Sequence, residues 1–192
     1  MKWVVLAIVA FLVPYTFLTL HFRKPGPEFE PYAEGKTRAI TLRLLSNGYQ
    51  RITLAIERPA DPPAPSVRAV TAAAPGGLTP ALAAAIIDHP GLPETIDRVT
   101  AAPEARAAAP YVVEFTCGLP DKREQLADAR LYRRGSELVV VASFERLDDA
   151  LQARTRESTL VVTVPAGARK PGRYRMTVAG ARASRQWTLQ VH

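Results

Sequence analysis

The sequence is poor in the residues that carry most enzyme chemistry. Its 192 residues include one cysteine, Cys117, and three histidines. A single cysteine excludes an intrachain disulfide, and no histidine stands at metal-ligand spacing from another histidine or from Cys117. The sequence also lacks a Gly-x-Ser-x-Gly elbow and a Gly-rich phosphate loop. We therefore predict a protein that is not an enzyme and that has no catalytic residue, cofactor or metal.

Two further groups of reactive residues have structural interpretations. Glu145, Asp148 and Asp149 form an acidic cluster, but their spacing matches no calcium loop, and Arg146 interrupts them. We interpret this cluster as a solvated loop. Cys117 falls on the core side of a predicted strand, so we expect a small buried residue and not a nucleophile.

Charged residues are absent from the stretch Trp3–Leu20. As a helix this stretch rises about 27 Å, close to the roughly 30 Å hydrocarbon core of a bilayer. Lys2 precedes it, and Pro25 follows its basic end. We predict an uncleaved membrane anchor at residues 1–24 with its transmembrane helix at 3–20. The alternatives are a cleaved signal peptide, which lacks a small-residue cleavage site here, and a core helix, which lacks its polar stripe.

The flanks of this anchor leave two orientations open. Arg23, Lys24, Lys36 and Arg38 follow the apolar stretch, and the positive-inside rule then favours a cytoplasmic body. A very short basic N-terminus before an apolar segment is instead typical of exported chains. We expect a single-pass protein of the cell membrane whose body lies on the periplasmic or extracytoplasmic side.

Acidic residues are absent from the end of the chain. Residues 158–192 contain six basic residues and no Asp or Glu, in a chain of formal net charge +7. The six are Arg169, Lys170, Arg173, Arg175, Arg182 and Arg185. They form either a solvated face or a binding face for an anionic partner such as lipid headgroups or a cell-envelope polymer. We predict no nucleic-acid partner, because Tyr174 and Trp187 have core parity and do not interleave with the basic residues. No small-molecule substrate is evident.

The middle of the chain predicts a stalk and a small mixed region. Residues 25–37 are Pro-rich and predict a semi-rigid stalk, and residues 38–91 predict a β-hairpin followed by a short helix. Apolar residues alternate at 40–44 and at 52–56. A three-residue Ser46-Asn47-Gly48 loop would place both sets on one face. Thr79 followed by Pro80 predicts the start of a helix that ends at Asp88.

From residue 92 to residue 192 the pattern predicts evenly spaced strands. We predict seven: Thr95–Ala101, Tyr111–Cys117, Ala127–Arg133, Glu137–Phe144, Thr159–Val164, Arg173–Val178 and Gln186–Val191. About 100 residues in seven strands are typical of a β-sandwich. Apolar residues fall on one parity in these strands, and a Gly135-Ser136 turn would pair Leu131 with Val140. The fold class is therefore mainly β, with an N-terminal transmembrane helix.

The end of the chain resembles a known family. Pro171-Gly172-Arg173-Tyr174-Arg175-Met176-Thr177-Val178 and then Trp187-Thr188-Leu189-Gln190-Val191 resemble the last two strands of bacterial immunoglobulin-like or fibronectin-III-like modules. The resemblance implies a sandwich over residues 92–192 and a corner hydrogen bond from Tyr174. Together these features predict a non-catalytic, membrane-tethered interaction or scaffolding protein. An accessory subunit of a membrane complex is one such protein. The alternative is a module that binds an anionic envelope ligand or lipid surface.

Overall fold

The computed structural model describes residues 2–22, 31–59, 69–87, 89–147 and 152–192. The chain divides into two compact units, Met1–Thr37 and Arg38–His192. Three helices and eleven strands make up the described parts of the chain. The helices are α1 (Lys2–His21), α2 (Pro31–Ser46) and α3 (Pro80–Ala85).

Helix α1 is apolar around its whole circumference. Its stretch Lys2–Thr19 has a mean hydropathy of 1.8 and is 0% buried. The hydroxyl of Thr16 donates to the carbonyl of Leu12 at 2.7 Å, and Thr19 donates to Tyr15 in the same way. These bonds satisfy the two threonine hydroxyls inside the helix, as an apolar environment requires. The described residues thus contain one helix that is long and apolar enough to cross a membrane.

The body is a single antiparallel-rich sheet. Its strands are β1 (Gln50–Thr53), β2 (Ala55–Glu57), β3 (Ala72–Pro75), β4 (Thr95–Ala101), β5 (Glu104–Ala105), β6 (Tyr111–Gly118), β7 (Glu124–Arg134), β8 (Glu137–Arg146), β9 (Glu157–Val164), β10 (Gly172–Val178) and β11 (Ala183–Val191). All seven predicted strands are confirmed, with ends that differ by at most three residues. The 134–137 turn also has the predicted register, with Leu131 opposite Val140.

The sheet closes almost into a barrel. Its order is β1-β7-β8-β10-β11-β4-β6-β9-β2, with β3 and β5 both paired to β11. Strands β1 and β2 are separated only by Leu54, whose amide donates to the carbonyl of Ala129 at 3.0 Å. The short segment Gln50–Glu57 therefore pairs with β7 through its first half and with β9 through its second half. Because one segment bridges both edges, neither edge is left open.

The mainly β fold class is confirmed, but the described residues form one eleven-stranded sheet in place of a clear seven-stranded sandwich. The sequence analysis assigned 38–91 to a region of its own, but β1, β2 and β3 from that region pair with β7, β9 and β11. These pairings place strands from both predicted regions in one sheet.

The inside of the barrel is the main core. Alternate residues of each long strand point inward, so that β6 buries Tyr111, Val113, Phe115 and Cys117. The inward residues of β8, β10 and β11 join them, as parity predicts. Trp187 is 4% exposed and Phe115 is 1% exposed.

A second core lies on the outer face of β7 and β8. Strand β8 has five consecutive buried residues, Leu138 to Ala142, which means that both of its faces are covered. On the outside, Tyr132, Val139 and Val141 pack with Leu44 of α2 and Leu82 of α3. A strand covered on both faces loses its alternation and becomes uniformly apolar.

The predicted hairpin was wrong in its first half, because residues 40–44 belong to helix α2. The Asn47-Gly48 pair ends this helix. Gly48 has φ +76°, and its amide donates to the carbonyl of Leu45 at 2.9 Å. The amide of Tyr49 donates to the carbonyl of Leu44 at 2.9 Å. This pair of bonds is the Schellman motif of a helix C-terminus, so a glycine that would suit a hairpin loop serves as a helix cap.

The remaining local predictions had mixed outcomes. Residues 31–37 of the predicted stalk are helical, and 25–30 lie outside the described residues. The start of α3 is confirmed: Thr79 accepts a hydrogen bond from the amide of Leu82 at 3.4 Å, and Pro80 is the first helical residue. The helix ends earlier than predicted, because Ile86 has an extended backbone. Asp88 lies outside the described residues.

Candidate functional site

Arg169 does not lie on the surface, so the prediction of six exposed basic residues was wrong for this one. Its side chain is 2% exposed, and one guanidinium nitrogen donates to the carbonyl of Ala109 at 2.8 Å. The guanidinium also lies over the ring of Tyr111, 5.1 Å from its centroid. Burial lowers the pKa of Arg169. Nε and Nη1 are buried without a hydrogen-bond partner. Arg169 is therefore not available on the surface for an anionic ligand.

Two other basic residues are engaged at the turn between β10 and β11. Arg182 pairs with Glu94 at 2.8 Å. The Nε of Arg185 donates to the carbonyl of Ile96 at 3.1 Å. Both side chains therefore contact residues at or just before the start of β4.

The remaining three basic residues are exposed. Arg173 and Arg175 both point outward from β10, as alternation predicts. Arg175 pairs with Glu137 at 3.8 Å, with both side chains largely in solvent. No ion pair joins Lys170 or Arg173 to a described residue. The predicted binding role of these residues stays a prediction, now restricted to a smaller face.

Arg173 and Arg175 line a cleft on the outer side of β8, β10 and β11, and Lys170 does not line it. Two cavities adjoin there. One, of about 310 Å³, is lined by Ser136, Glu137, Arg173, Tyr174, Arg175 and Thr188. The other, of about 300 Å³, is lined by residues 74–80 together with Glu137, Val139, Arg175, Thr177, Ala179 and Gln186. We call the two cavities together the outer cleft.

The elements around the outer cleft explain its two different halves. Outward residues of the paired strands β10 and β11 line the polar half, with Arg175 opposite Thr188. In the other half, the segment between β3 and α3 forms one wall, and Val139 and Ala179 from the second core lie at the base. The pair Arg175–Glu137 is common to both cavities and separates them.

The charges around the outer cleft favour a negatively charged ligand. Two arginines and one glutamate line its polar half, together with the hydroxyls of Ser136 and Thr188. An exposed ion pair as long as that of Arg175 and Glu137 contributes little stability, about 0–1 kcal/mol at most. An incoming anion therefore competes for Arg175 at small cost. Arg173 has no ion-pair partner among the described residues that the anion would have to displace.

Tyr174 at the edge of the outer cleft makes the corner contact that the family resemblance implies. Its hydroxyl donates to the carbonyl of Lys170 at 3.0 Å and accepts from the amide of the same residue at 3.2 Å. The tyrosine spans four residues of the chain and fixes the turn that precedes β10. Arg173, which lines the outer cleft, directly precedes this fixed tyrosine in β10.

Other candidate groups are buried or dispersed. Cys117 is fully buried, as predicted, and burial raises the pKa of its thiol to about 12. Glu145 of the predicted acidic cluster is exposed, whereas Asp148 and Asp149 lie outside the described residues. Within the described ranges, no group of three or more His, Cys, Asp or Glu side chains could hold a metal ion.

The sequence analysis identified the cations of the outer cleft but missed its apolar half. The wall from Ala74 to Pro80 comes from a segment about 60 residues away from β8 in the chain. The pairing of β3 with β11 and the packing of α3 on the second core bring them together. The available signal was the apolar run of β8, which indicates that something covers its outer face.

Comparison with known proteins gives no family by which to interpret the outer cleft: no family model matches the chain, and neither a curated protein nor a solved structure matches it.

Proposed function

We propose that this protein is a membrane-tethered, non-catalytic interaction protein, in which α1 anchors the barrel at a membrane. The observation that carries the proposal is helix α1, twenty residues long and exposed along its described length. An apolar helix whose described residues are 0% buried needs an apolar environment, and a bilayer provides one.

The orientation that we propose places the barrel outside the cytoplasm. Lys2 directly before the apolar stretch of α1, an arrangement typical of exported chains, supports this orientation. The proposal includes a protein partner in a membrane complex, because a helix that only tethers the chain leaves the barrel as the part that can contact other subunits.

The immunoglobulin-like resemblance concerns the fold of the barrel and not its function. The corner bonds of Tyr174 support it. The strand order differs. Immunoglobulin domains place their third strand beside the penultimate one, whereas here β10, the penultimate strand, pairs in parallel with β8, the fourth of the seven predicted strands. We infer a barrel-like variant of such a module, and no function follows from the fold by itself.

The alternative function is binding of an anionic envelope ligand or lipid surface by the basic face of the last two strands, and the burial of Arg169 removes one of its six residues. We retain it for Arg173 and Arg175 in the outer cleft.

Copurification in mild detergent tests the proposed function. The full chain, tagged at its C-terminus, is crosslinked in cells and purified beside a control in which an unrelated transmembrane helix replaces residues 1–24. We expect a protein partner in stoichiometric amount with both chains, because the barrel makes the contact and the helix only tethers it. A full chain that purifies alone and remains monomeric after crosslinking would contradict the proposal.

A further inference from the structure

We propose that the outer cleft binds a small amphiphilic anion, namely a carboxylate or phosphate that carries a short apolar chain. This inference rests on the barrel and not on the anchor, so that either proposal can fail without the other. The two halves of the cleft, one cationic and one apolar, correspond to the two ends of such a ligand.

The charged end of the ligand lies in the polar half. Arg173 is exposed and has no ion-pair partner among the described residues, and Arg175 is held by Glu137 only at 3.8 Å. A planar guanidinium presents paired donors that match a carboxylate or phosphate. The hydroxyls of Ser136 and Thr188 line the same cavity and can complete the shell of an oxyanion as donors.

The apolar end of the ligand lies beyond Arg175. There Val139 and Ala179 are 7% and 1% exposed and form the base of the cavity. Pro75 and Leu78 form its wall. An apolar chain that enters this half would cover Pro75, which is exposed, and Leu78, which is half-buried. Binding gains by the removal of this apolar surface from water.

The size of the outer cleft indicates a small molecule. Each cavity is about 300 Å³, at the lower end of the range typical of small-molecule sites, about 300–1,000 Å³. A protein interface is usually a flatter surface of about 800 Å² on each partner. The confinement of the apolar surface to one cavity therefore favours a short chain beside a single anionic group.

A series of carboxylates of increasing chain length tests the proposal. Acetate, butanoate and hexanoate are titrated calorimetrically into the full chain in non-ionic detergent, with titrations into micelles alone as the blank. We expect affinity to rise with chain length by up to about fourfold per buried methylene. Inorganic phosphate should compete with all three if the charged end is bound as an oxyanion.

Two variants separate the halves of the cleft. Arg173→Gln should weaken every carboxylate about tenfold and leave the dependence on chain length unchanged, because it removes one charged hydrogen-bond donor. Thr177→Phe, which fills the apolar half from β10, should abolish the dependence on chain length while acetate still binds. Arg98→Gln removes an exposed positive charge on β4 and should change neither property.

Three results would overturn the proposal. The first is the absence of binding by hexanoate to the folded full chain. The second is equal binding by the Arg173→Gln and Arg98→Gln variants, which would reduce the effect to net charge. The third is an affinity for hexanoate no greater than that for acetate. Circular dichroism of each variant ensures that a loss of binding is not a loss of folding.

Discussion

Truncation of Trp187 to alanine tests the interior of the barrel. The indole Nε1 donates to the hydroxyl of Tyr111 at 3.1 Å, and this hydroxyl donates to the carbonyl of Ala102 at 2.7 Å. Trp187 is 4% exposed and Tyr111 is 3% exposed. Removal of a buried tryptophan loses its transfer free energy and leaves a cavity, which together cost about 3–5 kcal/mol. We expect a loss of unfolding free energy in this range.

Two companion variants divide this loss into its parts. Trp187→Phe keeps most of the apolar volume and loses the indole donor, so we expect a smaller cost of about 1–2 kcal/mol. Thr188→Ala changes the next residue, which points outward from the same strand. Because side chains alternate along a strand, this matched control should cost less than about 0.5 kcal/mol.

Urea unfolding followed by far-UV circular dichroism measures all three variants without relying on the fluorescence of the tryptophan that is removed. Linear extrapolation gives the free energy, and equal slopes show that the variants unfold from the same compact state. If Trp187→Ala costs less than about 1 kcal/mol, or if Thr188→Ala costs as much, the inward parity assigned to β11 is wrong.

Three further changes test single features of the barrel. Burial raises the pKa of the Cys117 thiol from an ordinary 9.0 to about 12, so alkylation at pH 8 should occur only after unfolding in urea. Because the pKa of the thiol is higher in the folded state, the thiol contributes its full stabilisation below pH 9. This stabilisation falls as the pH rises toward 12, and a pH series of urea midpoints measures the fall. Gly48→Ala should cost about 1–2 kcal/mol. The cost comes from the left-handed backbone at φ +76° alone, since no atom crowds the added methyl group. Gly48→Asn should cost less, and equal costs would contradict the helix cap. Tyr174→Phe should cost about 1 kcal/mol through loss of its bonds to Lys170, and an unchanged urea midpoint would show that the corner contributes nothing.

Seven of the eleven strands were predictable because each of the seven shows a local signal. Alternating apolar residues set the inward face of β6, β10 and β11, and the Gly135-Ser136 turn set the register between β7 and β8. These signals depend on residues that are close together in the chain. The closure of the sheet by Gln50–Glu57 depends on two pairings with distant strands, β7 and β9, and no local pattern specifies them.

Helix α2 was missed because its sequence is locally ambiguous. Ile40 and Leu44 are four residues apart, which fits one face of a helix, while Leu42 between them completes the alternation of a strand. The structure leaves Leu42 60% exposed and buries Leu44, as a helical face requires. An Asn-Gly pair suits both a hairpin loop and a helix C-terminus, because both need a left-handed residue. Tertiary packing against β7 and β8 decides between them.

Part of the candidate site was predictable, and its limits have a clear cause. The exposure of Arg173 and Arg175 follows from strand parity. Arg169 lies in a turn, where parity gives no information, and it is buried against Tyr111 of a strand almost sixty residues earlier. The apolar half of the outer cleft likewise depends on a distant segment, residues 74–80.

The state of the mature N-terminus in membranes tests the central claim most directly. Membranes from producing cells are extracted with alkaline carbonate, and the intact mass of the retained protein is measured beside a variant that lacks residues 1–24. The account predicts that the full chain stays in the membrane fraction with residues 3–20 present, and that the shortened chain is soluble and folded. A full chain that is soluble without detergent, or a mature N-terminus that lies beyond residue 20, would contradict it.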